Sequence, residues 1–254
     1  MLFRSPCAVG AVTRPWLVRS AAVGSEPLTS LVERIDSVQA GRNPVVVGLG
    51  GSVASGKSTF AAELAAALLP RAVEVVSTDG FLLPNAVLLE RDLVLRKGFP
   101  ETYDEAAILA FLARVRAGDA RISVPVYSHE AYDVLAVPRE FSRPDVCILE
   151  GVNALRFAEV LDLAVYLHAD EEFLIAWYSE RFVRECALAR EDAGSFYRGW
   201  SHLPEPEQRA LAVQFWSEIN HPNLVDHIEP TAARADAVVV KRADHTLDRV
   251  EWRG

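Results

Sequence analysis

One run of residues in this sequence has the types and the spacing of a phosphate-binding loop. Residues 51–58 read Gly-Ser-Val-Ala-Ser-Gly-Lys-Ser and follow the apolar run 45–50. Glycines in the loop let the backbone curl so that successive N–H groups point at phosphate oxygens, and the helix that follows adds its positive end. Lys57 would then reach the terminal phosphates, and Ser58 would hold Mg²⁺ through its hydroxyl. The residues predicted to bind the nucleotide are Gly51, Ser52, Val53, Ala54, Ser55, Gly56, Lys57, Ser58 and Thr59.

Lysine is rare in this chain, which makes its placement informative. The 26 basic residues include three lysines, at positions 57, 97 and 241, and the rest are arginines. One of the three stands where the loop needs it. A compact ammonium on a thin stem fits under a chain of phosphates where a planar guanidinium does not, so the two residue types are not interchangeable there.

Two carboxylates follow apolar runs that read as strands. Asp79 comes just after the run 73–77, and Glu150 follows the run 146–149. The carboxyl ends of parallel strands share one edge of the sheet with the phosphate loop. Asp79 fits a base that accepts a hydroxyl proton as the γ-phosphoryl group leaves ATP, with a helix N-cap or a residue that holds Mg²⁺ through water as alternatives. Glu150 fits a residue that steers Mg²⁺ or its water; its alternative is an acid that binds backbone amides.

A polar and aromatic cluster lies between the predicted elements. Tyr127, Ser128 and His129 are followed closely by Tyr132 and Asp133. Loops of this composition carry specificity in many enzymes. The cluster fits a substrate pocket, and a purely structural role for it stays open.

A helical stripe further along the chain contains one arginine of interest. Trp177, Tyr178 and Phe182 recur at helical spacing, which favours a place in the core for most of the stripe. Arg181 lies between them. An arginine near a transferring phosphoryl group offsets its charge, although a surface ion pair is the commoner fate of an arginine.

Strand patterns alternate with helical patterns, which predicts an α/β fold with a mainly parallel sheet and flanking helices. The predicted strands are residues 45–49, 73–77, 145–149, 162–167 and 236–240. The predicted helices are residues 29–40, 57–69, 170–189 and 204–219. Between the last two helices, residues 190–203 collect glycines and aromatic residues and suit a lid over the site.

Length and composition limit the class of protein. No internal repeat or linker follows residue 45, which favours one domain over residues 29–254 behind a poorly ordered leader, residues 1–28. The net charge of −9 argues against a nucleic-acid partner held through its phosphates. No apolar stretch approaches the roughly 18 residues of a membrane-spanning helix. Three cysteines without metal-ligand spacing favour a reducing cytoplasm.

Segments from residue 51 to residue 231 resemble bacterial type I pantothenate kinases, which belong to the phosphoribulokinase and uridine kinase group of phosphate-loop kinases. The matching segments are 51–59, 77–82 with Pro84-Asn85, 97–104, 124–129, 132–133, 149–153, 177–178 with 181–182, 218–220, and 223–224 with 230–231. Such an ordered series is far more specific than the phosphate loop alone.

The resemblance implies transfer of the γ-phosphoryl group of ATP to the terminal hydroxyl of pantothenate, the first step of coenzyme A synthesis, with Mg²⁺. It also implies a cytoplasmic homodimer that coenzyme A inhibits. On matching positions it assigns Lys57 and Ser58 to the nucleotide and Mg²⁺, Asp79 to the base, and Arg181 to stabilisation of the transferring phosphoryl group. The residues it assigns to the pantothenate pocket are Tyr127, His129, Tyr178 and Asn220.

Three positions depart from the family pattern. Ala62 stands where the family carries a basic residue that helps to hold nucleotide or coenzyme A phosphates, which puts inhibition by coenzyme A in doubt. Glu185 and Arg190 replace aromatic residues that cover the tail of pantothenate. These departures keep a second interpretation open, in which a divergent relative phosphorylates another small alcohol, a nucleoside or a sugar.

Overall fold

The computed structural model describes residues 25–129, 131–192 and 194–253, in which strands and helices alternate as expected. Its strands are, in chain order, β1 Val45–Gly51, β2 Val73–Ser77, β3 Arg121–Val124, β4 Tyr127–Ser128, β5 Asp133–Val134, β6 Arg139–Ser142, β7 Val146–Glu150, β8 Leu163–His168, β9 Ala237–Lys241 and β10 Leu247–Trp252. Its helices are α1 Glu26–Gln39, α2 Lys57–Ala67, α3 Asn85–Glu90, α4 Glu105–Ala117, α5 Glu171–Leu188 and α6 Glu205–Phe215.

A six-stranded sheet in the order β10-β9-β8-β1-β7-β2 runs through the centre of the molecule. Strand β1 pairs in parallel with β7 and β8, and β2 and β9 extend the parallel part on either side. The carboxyl ends of these five strands therefore share one edge, where ligands bind in open α/β sheets. The α/β fold with a mainly parallel sheet is confirmed.

The element boundaries follow the predictions with a few differences. Helix α1 begins at Glu26 rather than at residue 29, and its residue Leu28 is buried in the core. Helix α6 ends at Phe215, and the chain continues into a wider π-helical turn, Trp216–Asn220, before further turns. The antiparallel edge strand β10 was not predicted, because charged residues interrupt its pattern. The first 24 residues of the proposed leader lie outside the described residues.

Strand β1 is buried on both faces, which explains its continuous run of valines. Val45 and Val47 pack into one core with α1 and α2, and Val46 packs into a second core with α4. Cys147, on β7, is fully buried in that second core as a small hydrophobic residue. Within the described ranges, no helix is long and apolar enough to cross a bilayer.

A third cluster packs against strands β8 and β9, and a fourth lies between α5 and α6. Both clusters involve the helical unit, by which we mean α5, α6 and the turns that follow α6. They include Trp177, Phe182 and Trp216. A short helical turn at Phe196–Trp200, in the segment predicted as a lid, packs its aromatic rings against this unit. The small hairpin of β4 and β5 contacts this short turn through Tyr132, whose ring stacks on Phe196.

Candidate active site

The phosphate loop connects β1 to α2 and has the backbone that its sequence predicts. Gly51 and Gly56 have φ angles of 143° and 83°, a region that favours glycine. A side chain at Gly51 would place its Cβ 2.5 Å from the carbonyl oxygen of Leu167, which leaves no room for it. The hydroxyl of Ser55 is fully buried and has no hydrogen-bond partner among the residues that the structure describes. A tight cradle with a spare buried donor fits a bound phosphate.

Two lysines lie beneath and beside this loop. Lys57 is buried and donates a hydrogen bond to the backbone oxygen of Ser52 at 2.7 Å, and burial lowers its pKa to about 8 against the opposing charges of Glu150 and Asp79. Lys241, at the end of β9, donates to the backbone oxygen of Ser55 at 3.0 Å, and burial lowers its pKa too. Both ammonium groups have lost hydration that phosphate oxygens would replace.

The two predicted magnesium residues meet in the structure. The register of the sheet sets Glu150, the last residue of β7, beside Leu49 of β1 and Ser77 of β2. The hydroxyl of Ser58 donates to Oε1 of Glu150 at 3.0 Å. Burial raises the pKa of Glu150, Lys57 opposes that rise, and Asp79 adds to it.

A hydroxyl and a carboxylate are oxygen donors of the kind that Mg²⁺ prefers. In the part of the chain that the structure describes, no group of three or more His, Cys, Asp or Glu residues could hold a metal. The donor set therefore fits an ion that takes its remaining ligands from nucleotide phosphates and water.

Asp79 lies in the helical turn that follows β2. Ser77 caps this turn by accepting a hydrogen bond from the N–H of Asp79 at 3.3 Å, so the cap is Ser77 rather than Asp79. The carboxylate of Asp79 accepts a hydrogen bond from the hydroxyl of Tyr103 at 3.3 Å. Burial and the charge of Asp79 raise the pKa of Tyr103 far above its usual value, so its proton stays in place. Tyr103 therefore orients this carboxylate.

Lys97 is a functional candidate that the sequence analysis did not assign. Its Nζ donates to the side-chain oxygen of Asn85 at 2.7 Å and to the backbone oxygen of Tyr132 at 2.6 Å. It also lies over the rings of Tyr127 and Tyr132, at 4.8 and 4.2 Å from their centres. Burial lowers its pKa to about 8, while Asp133 and Asp79 oppose that shift. The rarity of lysine was the signal that could have identified both Lys97 and Lys241.

The hairpin residues that are predicted to line the pantothenate pocket belong to an aromatic wall. The rings of Tyr127 and His129 meet edge to face at 5.2 Å, and His129 is exposed at the rim. Tyr132, which has a positive φ of 52°, stacks on Phe196 of the lid segment with ring centres 3.9 Å apart. This stack joins the hairpin to the helical unit across the sheet edge.

The other two residues that are predicted to line the pantothenate pocket, Tyr178 and Asn220, lie in the helical unit. Burial raises the pKa of Tyr178, while a hydrogen bond with Asn220 and the charge of Arg181 oppose the rise. The guanidinium of Arg181 lies 5.5 Å from the ring centre of Tyr178 and, within the described ranges, forms no salt bridge. Its charge also acts on Lys57 and Tyr132. The positive charge of Arg181 therefore acts on both the phosphate loop and the hairpin.

Comparison with known families identifies the group to which this site belongs. The model of the phosphoribulokinase / uridine kinase family matches residues 46–187, which contain the phosphate loop, both carboxylates and Arg181. This chain belongs to that family.

The curated proteins that are similar to this chain include several pantothenate kinases. The pantothenate kinase of Sorangium cellulosum (strain So ce56) is 46% identical over 228 residues, which cover 84% of this chain and 74% of the relative. The pantothenate kinase of Sodalis glossinidius (strain morsitans) is 41% identical over 244 residues, which cover 88% and 77%. Among solved structures, D-glycerate 3-kinase from Cryptococcus neoformans var. grubii shares the fold, with a TM-score of 0.66 at 14% identity over 91% of this chain and all of that one.

The three departures from the family pattern have distinct places. Ala62 is exposed on α2. Glu185 lies on α5, and its Oε1 is 3.5 Å from Nη2 of Arg184. Arg190 donates to the backbone oxygen of Ser201 at 3.1 Å and so ties the two ends of the lid segment together.

Proposed function

We propose that this chain is an ATP-dependent kinase that phosphorylates the terminal hydroxyl of pantothenate to 4'-phosphopantothenate, the first step of coenzyme A synthesis. The observation that carries the proposal is the place of Asp79 at the carboxyl edge of the sheet. It lies in the turn after β2, whose last residue Ser77 pairs with Glu150, and Glu150 contacts Ser58 of the phosphate loop. Curated relatives that are 40–46% identical over most of the chain are pantothenate kinases, which supports this acceptor.

Asp79 acts as the base in this proposal. It accepts the hydroxyl proton of the acceptor as the oxygen attacks the γ-phosphorus and the bond to the β-phosphate oxygen breaks. Tyr103, whose hydroxyl stays protonated, holds one carboxylate oxygen and leaves the other for the acceptor. A fixed carboxylate at the reacting hydroxyl contributes orientation as well as basicity.

Three cations stabilise the charge on the transferring group. Lys57 approaches from the phosphate loop, Arg181 from α5, and Lys97 from its place over the rings of Tyr127 and Tyr132. Each is held in place by contacts within the protein, so little reorganisation accompanies the reaction. Ser58 and Glu150 would hold Mg²⁺ together with the nucleotide, and the ion would supply further charge neutralisation.

Pantothenate offers hydroxyl, amide and carboxylate groups, and the acceptor residues match the first two. Tyr127, Tyr178 and Asn220 supply hydroxyl and amide partners, and His129 stands at the rim. Burial raises the pKa of both tyrosines, which therefore remain hydrogen-bond donors. A nucleoside or sugar acceptor is not favoured, because the curated relatives are pantothenate kinases.

The remaining properties follow from the family and from composition. We propose a cytoplasmic homodimer without a nucleic-acid or membrane partner, in line with the net charge of −9. Inhibition by coenzyme A would be weaker than in the family, because Ala62 offers no charge to a phosphate and Glu185 and Arg190 replace aromatic residues.

An ADP-release assay with purified protein, Mg²⁺ and ATP tests this function. Pantothenate, uridine, ribulose 5-phosphate and no acceptor are compared, and coenzyme A is then added to the active mixture. Turnover with pantothenate alone is expected. Turnover with uridine or ribulose 5-phosphate and none with pantothenate would overturn the assignment of the acceptor.

A further inference from the structure

A single carboxylate joins the two elements that carry Tyr178 and Asn220. Glu171 lies in the first turn of α5, the helix that carries Tyr178. Its Oε1 accepts a hydrogen bond from the indole Nε1 of Trp216 at 2.8 Å and lies 2.6 Å from Nδ1 of His221. Trp216 begins the turn that ends at Asn220, and His221 follows it. One oxygen therefore holds both ends of that turn.

The 216–220 turn contains a buried polar group that needs a hydrogen-bond partner outside the turn. The turn is π-helical, a rare form that recurs at functional sites. Trp216 is buried, and its ring packs 5.8 Å from that of Tyr178, so its indole N–H requires a partner inside the protein. The Trp216 hydrogen bond, with help from His221, holds the pKa of Glu171 below its usual value, so the acceptor is ionised.

We propose that Glu171 is a positioning residue for the acceptor: it holds the 216–220 turn against α5 and so fixes Asn220 relative to Tyr178. The proposal rests on the proposed function for the identity of the acceptor. Within the described ranges, the hydrogen bonds of Glu171 go to Trp216 and His221 and none goes to the phosphate loop. Its removal should therefore weaken acceptor binding and leave the nucleotide side intact.

Three variants of the full chain separate this role from a general loss of stability. Glu171→Ala removes the acceptor oxygen, whereas Glu171→Gln keeps a side-chain oxygen that can accept from both ring N–H groups. Glu172→Ala, on the neighbouring exposed residue, is the matched control. Steady-state kinetics are measured with pantothenate and ATP varied separately.

Glu171→Ala should raise KM for pantothenate about tenfold and change KM for ATP less than about twofold. Glu171→Gln should restore KM for pantothenate to within about twofold of the wild type, because the hydrogen bonds return without the charge. Glu172→Ala should match the wild type. Equal rises in both KM values, or a Gln variant as impaired as the Ala variant, would overturn the positioning role.

Hydrogen exchange of the unliganded protein tests the same claim without any acceptor. Backbone amides of residues 216–221 should exchange about tenfold faster in Glu171→Ala, while amides of the phosphate loop keep their protection. Unchanged exchange at 216–221 would overturn the proposal. If the wild type fails to use pantothenate but the turn loosens in this way, the proposed function fails and the positioning role stands. Should Glu171→Ala not fold, His221→Leu removes one partner from an exposed position and should give smaller shifts in the same direction.

Discussion

The nucleotide side and the acceptor side of this site are built in different ways. On the nucleotide side, the register of the sheet sets Ser77 and Glu150 next to each other. The phosphate loop follows directly after β1, which pairs with β7 on one side and β8 on the other. On the acceptor side, Tyr132 and Phe196 meet although they belong to separate segments, and their contact depends on aromatic packing. Backbone pairing fixes the first half, and side-chain packing fixes the second. Substitutions should therefore separate effects on ATP from effects on pantothenate.

The largest expected effect belongs to the residue that both halves share. Asp79→Asn keeps the size of the side chain and its acceptor oxygen for Tyr103 but removes the group that takes the proton. We expect kcat to fall about 10²–10⁴-fold while the dissociation constant of ATP changes little. Steady-state kinetics and calorimetric titration with ATP measure the two quantities, with Asp92→Asn, at an exposed residue, as the control. Turnover at the wild-type rate would remove Asp79 as the base.

A substitution of Lys97 should show whether this cation serves the nucleotide side or the acceptor side of the site. Lys97→Met keeps an unbranched apolar stem between Tyr127 and Tyr132 but removes the charge. We expect kcat/KM for pantothenate to fall about a hundredfold, because the proposed mechanism uses this half-buried charge to stabilise the transferring group. The dissociation constant of ATP should stay within about threefold. An equal loss in ATP affinity would place Lys97 on the nucleotide side instead.

Lys57 should make ATP binding depend on pH. Burial lowers its pKa to about 8 in the free protein, so the ammonium loses its proton as pH rises through that value. The phosphates bind the charged form, so the dissociation constant of ATP should rise about tenfold per pH unit above the pKa. Lys57→Arg, which remains charged, should bind ATP more weakly at pH 7 but with a flatter profile. Calorimetry between pH 7 and 9.5 measures this, and a flat wild-type profile would contradict it.

The lid contact should give the smallest effect and the cleanest separation. Phe196→Ala removes the ring that stacks on Tyr132. We expect KM for pantothenate to rise about threefold to tenfold, the loss typical of an aromatic pair, with KM for ATP unchanged. Leu188→Ala, at an exposed residue of α5, is the control in the same kinetic assay. A matching rise in KM for ATP would show that the lid serves both halves.

The difference between the halves also explains what the sequence could predict. The phosphate loop, the five parallel strands and the acids at strand ends follow from local patterns and from the rule that parallel strands share an edge. The approach of Lys241 to Ser55 is a contact between distant segments that no local pattern encodes. The π-helical turn before His221 is likewise held from outside, by Glu171. The resemblance named Asn220, and the packing that positions it came from the structure.

The most direct test of the account is to follow the label from γ-³²P-labelled ATP into pantothenate and to locate the new phosphate by NMR. The account predicts that the label appears on the terminal hydroxyl of pantothenate, and that Asp79→Asn, although it still binds ATP, transfers it far more slowly. Label released only as inorganic phosphate, or found on a different acceptor while pantothenate stays unlabelled, would contradict the central claim.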